Sequence, residues 1–522
     1  MEVTRISIGI SLVFVVLVSV LWSILNWIWF KPKRLEKCLR NQGYKGNSYR
    51  LLHGDTKDRA SMTMEARSQP PLPLMSNDIL PRVVPFFIHT LNTYGRRCFV
   101  WNGPVPLVTI AEPELIREVL MKIHEFQKPV TNPLLKKVAS GLVMLEGQMW
   151  ANRRKLLTPA FHMDKLKYMI PALWESSNCM VKEWEEMVSE KGSLEIEVWS
   201  HLHILSADLI SRAAFGSSYE EGKRIFELLT EQIQIAVPVF NSVYIPGWRF
   251  VPTKANRRIV ELDREIRTLL KGVIEKRKQA IKAGEKPKDD LLGILLESNF
   301  VGIGHGNKKQ LQHRIELTIE EVINESKLFY LAGQGTTSTL LVWTLIMLAR
   351  HQNWQARARE EVLNTFGNRN PDFQGLNHLK IVNMILQEVL RLYPPVLELN
   401  RTVNKDIRVG DVFLPAGVLV NLPILLIQQD EKLWGDDAKE FKPERFSEGI
   451  SKATKGNMSF FSFGWGPRIC IGSNFAMIEA KMTLALILQR FSFELSPSYA
   501  HAPSAIGALK PQFDAPIIFN KL

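Results

Sequence analysis

From residue 6 to residue 30 the chain carries no charged side chain (ISIGISLVFVVLVSVLWSILNWIWF). Such a run is long enough to cross the hydrocarbon core of a bilayer, where only a helix satisfies its own backbone polar groups. Trp22, Trp27 and Trp29 cluster toward its end, where an interfacial aromatic belt belongs. Lys31, Lys33, Arg34, Lys37 and Arg40 follow at once and place that end in the cytoplasm. A cleaved signal peptide has a shorter apolar core and a small-residue cleavage site, and neither is seen. Residues 1–30 therefore read as one retained transmembrane anchor, 31–60 as a basic, turn-rich connector, and 61–522 as one large domain.

At 46% hydrophobic residues the chain has enough apolar surface for a large core. Lysine and arginine outnumber acids 66 to 53, a balance that favours anionic membrane surfaces. No nucleic-acid-binding motif accompanies it, so a nucleic-acid partner is not expected. Helical periods recur at 113–126, 166–191, 223–237, 257–282 and 353–366, and shorter β-like runs at 99–108, 403–414, 418–423 and 491–495. Charged, glycine-bearing stretches at 283–290 and 302–309 read as exposed loops. The class is mainly α with a small β-rich lobe.

One helix stands apart. Thr318 and Glu321 form a capping box, and the pattern continues to about residue 350. At about 1.5 Å per residue it is on the order of 50 Å long. Residues 328–349 are uncharged, which raises a second membrane span, but AGQGTTST puts glycines and hydroxyls at the middle. A buried central helix is the better reading.

The four cysteines, Cys38, Cys98, Cys179 and Cys470, lie far apart without a CxxC pair, so neither a disulfide framework nor a zinc site is indicated. Cys470 stands in SFGWGPRICIGSNFA. Gly464, Gly466 and Pro467 prescribe a tight turn before it, and Gly472 opens the chain after it. A helix begins just beyond, so the sulfur sits where the dipole favours an anion. Arg468, two residues earlier, supplies a positive charge that favours thiolate and can also hold a carboxylate. The loop reads as one thiolate presented to a flat ligand.

Phe463 through Gly472 resembles the haem-binding loop of the cytochrome P450 monooxygenases at every fixed position. The resemblance implies haem b with Cys470 as axial ligand to iron, in a family whose thiolate ligation is the standard example of electron donation toward O–O cleavage. It implies that family's fold, preceded here by the N-terminal transmembrane helix. Other motifs agree. In ILQEVLRLYPP, Glu388 and Arg391 share a helix face among apolar neighbours; they resemble the family's structural ion pair, which also engages Arg445 of FKPERF. By the same resemblance Trp150 and Arg154 of GQMWANRRKLL hold haem propionate with Arg401 and Arg468, since a guanidinium fork matches a carboxylate. Ala332, Gly333 and Thr336 of LAGQGTTST resemble the notch that receives dioxygen. Gly335 departs from the family, which usually has Asp or Glu before that threonine to relay protons.

GNSYRLLHGD (46–55), NDILPRVVPF (77–86) and PSYAHAP (497–503) look like the plant group that includes secologanin synthase. The implied activity is oxidation of a terpenoid with O2 and electrons drawn from NADPH through NADPH–cytochrome P450 reductase. The implied place is the endoplasmic reticulum membrane, single-pass, with the catalytic domain cytosolic. Gly335 keeps a haem-thiolate isomerase or dehydratase as an alternative, and a membrane-anchored haem binder without catalysis is the third.

Overall fold

The computed structural model describes residues 2–129, 132–240, 242–285, 290–300 and 317–522. The loop read at 302–309 lies outside them, as does the 286–289 part of the one at 283–290. Helix α1 (Glu2–Leu25) passes through a π-helical turn at Asn26–Phe30 into α2 (Lys31–Asn41). From Leu12 to Leu21 its large apolar side chains stand exposed, and the helix is long and apolar enough to cross a membrane.

Residues 31–60 differ from a turn-rich connector at their start. The cations of α2 lie on one side, while Leu35 and Leu39 lie on the other and pack with Phe99, Trp101 and Val420. Tyr49 donates to the Ile28 carbonyl at 2.8 Å and sets its ring against Trp101. Four-residue spacing of the two leucines is what makes this stretch a helix with a buried face.

The domain is built on α3 (Gly147–Leu157), α4 (Met163–Ser189), α5 (Val198–Ile210), α6 (Lys254–Lys282), α7 (Ile319–Arg350), α8 (Lys380–Leu392) and α9 (Ser473–Arg490). Thr318 accepts from the Glu321 N–H at 3.2 Å and Glu321 accepts from the Thr318 N–H at 2.9 Å, completing the capping box that starts α7. That helix is the interior axis: 72% of its most apolar window is buried, so its apolar length serves a core. α5 lies along it, and α9 packs between it and α4.

The strands gather at the edges. β1 (Phe99–Asn102), β2 (Val105–Thr109), β3 (Phe126–Gln127), β5 (Leu399–Val403) and β6 (Leu419–Leu422) form one sheet in the order β1-β2-β6-β5-β3, parallel only between β2 and β6. β4 (Ser193–Glu197), β7 (Phe491–Leu495) and β8 (Pro516–Lys521) form an antiparallel sheet in the order β4-β8-β7. The first sheet matters most for the site, because β5 carries Arg401.

Candidate functional site

The 463–472 loop is shaped by its own backbone. Gly464 and Gly466 take φ of +72° and +71°, where a side chain is strained. Their turns fold the loop back so that the Cys470 N–H donates to the Phe463 carbonyl at 2.8 Å, while the Phe463 ring packs on the core. Gly472 is different. Its φ is −91°, and a Cβ there would meet nothing closer than Phe161 at 4.0 Å. Neither backbone nor packing requires glycine at 472, and its bare face suits a flat group laid against the chain.

Cys470 is exposed by surface area although dense protein surrounds it, so its sulfur looks into open interior space. Burial pushes the thiol up, against the Gly472 N–H and the charges of Arg154 and Lys128, which pull it down. The charges that favour the thiolate are those of Arg154 and Lys128 rather than the expected Arg468. Arg468 turns away, donates to the Leu145 carbonyl at 3.0 Å, pairs with Glu146 and lies 4.5 Å over the Trp150 ring. A two-residue spacing in a loop does not fix a side chain's direction.

Trp150, Arg154, Arg401 and Arg468 do converge around this loop. Arg154 on α3 donates to the Ile469 carbonyl at 2.8 Å, fastening the residue before the cysteine. Arg401 is buried, and among the described residues its side chain bonds only to the neighbouring Asn400 carbonyl, at 2.9 Å. Burial and the Arg468 charge lower it to about 10. Lys128 belongs to the same cluster and was not expected: burial, then Arg401 and Arg468, push it down to about 7. Burial lowers Lys128, Arg154, Arg401 and Arg468 alike, and this group of cations, faced by Glu146 and Cys470, fits a ligand that brings carboxylates. The neighbouring Arg153 faces elsewhere, buried between Glu321 and Glu325 of α7 with Nη–Oε distances of 2.5 and 2.6 Å.

The central helix opens once. Between residues 322 and 349 Ala332 is the one exposed residue among the described residues, flanked by half-buried Gly333, Gly335 and Thr336. Thr336 donates to the Ala332 carbonyl at 2.9 Å, occupying the hydroxyl with the turn before it. Gly333 departs from the reading that glycine there clears a ligand notch. A Cβ on it would lie 2.6 Å from Ile210 Cγ1, so its bareness lets α5 lie close to α7. At Gly335 a Cβ would meet nothing within 4 Å.

Glu388 and Arg391 are fully buried, joined at 2.7 Å (Nε–Oε2) and 2.8 Å (Nη2–Oε1). Arg391 also donates to the carbonyls of Gln428, Ala438 and Glu440, so every face of the guanidinium is occupied. Arg445 comes to 3.5 Å of Glu388 and pairs more closely with Asp437, at 2.7 Å. This cluster locks α8 to the segment that leads into the cysteine loop. Two surface clefts of about 410 and 390 Å³, one lined by Cys38, Tyr44 and Arg408 and the other by Lys137, Arg264 and Lys271, involve none of these residues.

A mostly helical domain with an interior-facing thiol ahead of a helix, a bare glycine beside it and a cluster of largely buried cations defines a haem-thiolate protein. The cytochrome P450 family profile matches residues 69–512, and the chain belongs to that family. It is 55% identical over 510 residues to cytochrome P450 CYP72A219 of Panax ginseng, covering 97% of each chain. It is 51% identical over 520 residues to a Saponaria officinalis protein named echinocystic acid 23-monooxygenase, covering 98% of this chain and 99% of that one. Among solved structures, retinoic acid-bound cyanobacterial CYP120A1 superposes with a TM-score of 0.72 at 23% identity, over 87% of this chain and 99% of that chain, and shows the fold. The chain is thus a haem-thiolate oxidoreductase of the monooxygenase type, its iron held by a cysteine thiolate.

Proposed function

We propose that the chain is a membrane-anchored monooxygenase of a terpenoid, fed with electrons from NADPH by NADPH–cytochrome P450 reductase. The observation that carries the reading is the single break in the sealed central helix at Ala332–Thr336, together with the interior-facing thiol of Cys470. Haem bound at Cys470 supplies oxygen activation. The chain's own residues do the rest. Trp150, Arg154, Arg401, Arg468 and Lys128 hold the carboxylates of the haem edge; Phe463 and Gly472 shape the face next to the sulfur; Ala332 leaves room, and Thr336 presents a hydroxyl at the opening. The terpenoid class rests on the relative named for echinocystic acid.

The cations of α2 support a cytosolic domain on a single-pass anchor in the endoplasmic reticulum. The test is a binding-spectrum screen of terpenoids against purified protein, followed by reductase-supported turnover of the binders. Product that requires NADPH and O2 supports the reading. Gly335 favours a second reading, rearrangement of an already oxidised substrate; turnover of a hydroperoxide without NADPH would establish it.

A further inference from the structure

Glu325 of α7 is completely buried, and its two oxygens go to two different parts of the chain. Oε1 takes Arg153 Nη1 at 2.6 Å, and Oε2 accepts the Leu142 N–H at 2.9 Å. The other Nη of Arg153 is held at 2.5 Å by Glu321, one turn earlier on α7. The residue before Leu142 is shaped to let Glu325 in. Gly141 takes φ of +69°, and a Cβ there would lie 2.7 Å from Glu325 Oε2 and 3.1 Å from the Asn324 carbonyl oxygen. Ser140 meets Asn324 as well, its Oγ 3.1 Å from Oδ1.

Both partners of Glu325 lead to the cysteine loop. Arg153 stands next to Arg154 on α3, and adjacent helical residues point about 100° apart. An Arg153 pinned to α7 therefore fixes where Arg154 reaches when it donates to the Ile469 carbonyl. Leu142 opens the short run 142–146. At its end the Leu145 carbonyl accepts from both Nη groups of Arg468 at 3.0 Å. Glu146 pairs with Arg468 and also accepts the Lys128 N–H at 3.0 Å.

We propose that Glu325 is a positioning residue for the haem edge: one carboxylate sets Arg154 through Arg153, and sets Arg468 and Lys128 through residues 142–146. A guanidinium matches a carboxylate only in a narrow geometry, and buried partners behind it hold that geometry. The inference rests on the reading that these cations hold the carboxylates of haem, and its controls separate the two.

The test is the midpoint potential of the haem-loaded full chain, read without reductase or substrate, together with the resonance Raman bands of the haem propionates. Removing a negative charge by Glu325→Leu would by itself raise the potential, because the ferric form carries the extra positive charge. Displacing Arg154 and Arg468 does the opposite, so the sign tells the two apart. Glu325→Leu should lower the ferrous-to-ferric ratio at the wild-type midpoint roughly threefold and shift the propionate bands. Gly141→Ala changes no charge and should move both in the same direction, while Glu325→Asp should move them less. A side chain needed only for stability would lower the unfolding midpoint and leave the potential where it was. Should Glu325→Leu fail to take up haem, Gly141→Ala and Glu325→Gln carry the comparison. Arg154→Met and Arg468→Met are the controls. Both should lower the potential, and no change in either sinks the cation reading and this inference with it. A lowered potential in the controls, with an unchanged or raised one in haem-replete Glu325 and Gly141 variants, overturns this inference alone.

Discussion

Lys128 carries the sharpest electrostatic consequence at the level of single residues. Its value of about 7 lies below the 10.5 of an exposed lysine. Between those values the folded, haem-free chain binds fewer protons than the unfolded chain, so this group makes stability rise with pH across that window. Carboxylates arriving at the cluster return the proton. Haem loading at about pH 8 should therefore take up protons from weak buffer, and Lys128→Met should abolish that share; equal uptake in both proteins would remove Lys128 from the cradle. Gly333→Ala makes a steric prediction instead. With Ile210 Cγ1 only 2.6 Å from the new Cβ, the variant should lose about 1–3 kcal/mol in thermal or urea unfolding, and Ile210→Val should return part of it. Cys470, Glu388 and Arg391 were legible because each sits in a dense local motif. Lys128 was not, because only the folded chain brings it beside Arg401 and Arg468.

Among the elements, α7 and α9 announce themselves and α5 does not. The capping box and a long uncharged run mark α7 from its first turn. α5 (VWSHLHILSADLI) is apolar on several sides because the core surrounds it, and its cap is Glu197, an uncommon residue there, accepting from the N–H groups of Trp199 and Ser200 at 2.9 Å. With period and cap both blurred, nothing in the sequence marked the helix that supplies Ile210. α8 gives the element-scale prediction. Arg391→Leu leaves Glu388 buried with its main partner gone, at a cost of about 3–5 kcal/mol. The variant should accumulate with little haem and unfold at markedly lower urea; wild-type haem content and midpoint would show that the pair is dispensable.

The whole molecule is a helical domain tied to its anchor by packed contacts. Because Tyr49 holds the Ile28 carbonyl and α2 buries Leu35 and Leu39, a cut at residue 30 would expose core, whereas deleting 2–25 leaves these contacts in place. That deletion should move much of the protein out of the membrane fraction and keep its haem spectrum. Trp248 and Phe250 remain exposed and should leave some affinity for vesicles. Protease added to intact microsomes should digest the domain beyond the anchor; protection would reverse the topology. All of this hangs on one sulfur. The reduced carbon-monoxide complex should absorb in the Soret region of thiolate-ligated haem, and Cys470→Ser should lose that band while Cys38→Ser, Cys98→Ser and Cys179→Ser retain it. An unchanged band in Cys470→Ser would contradict the account.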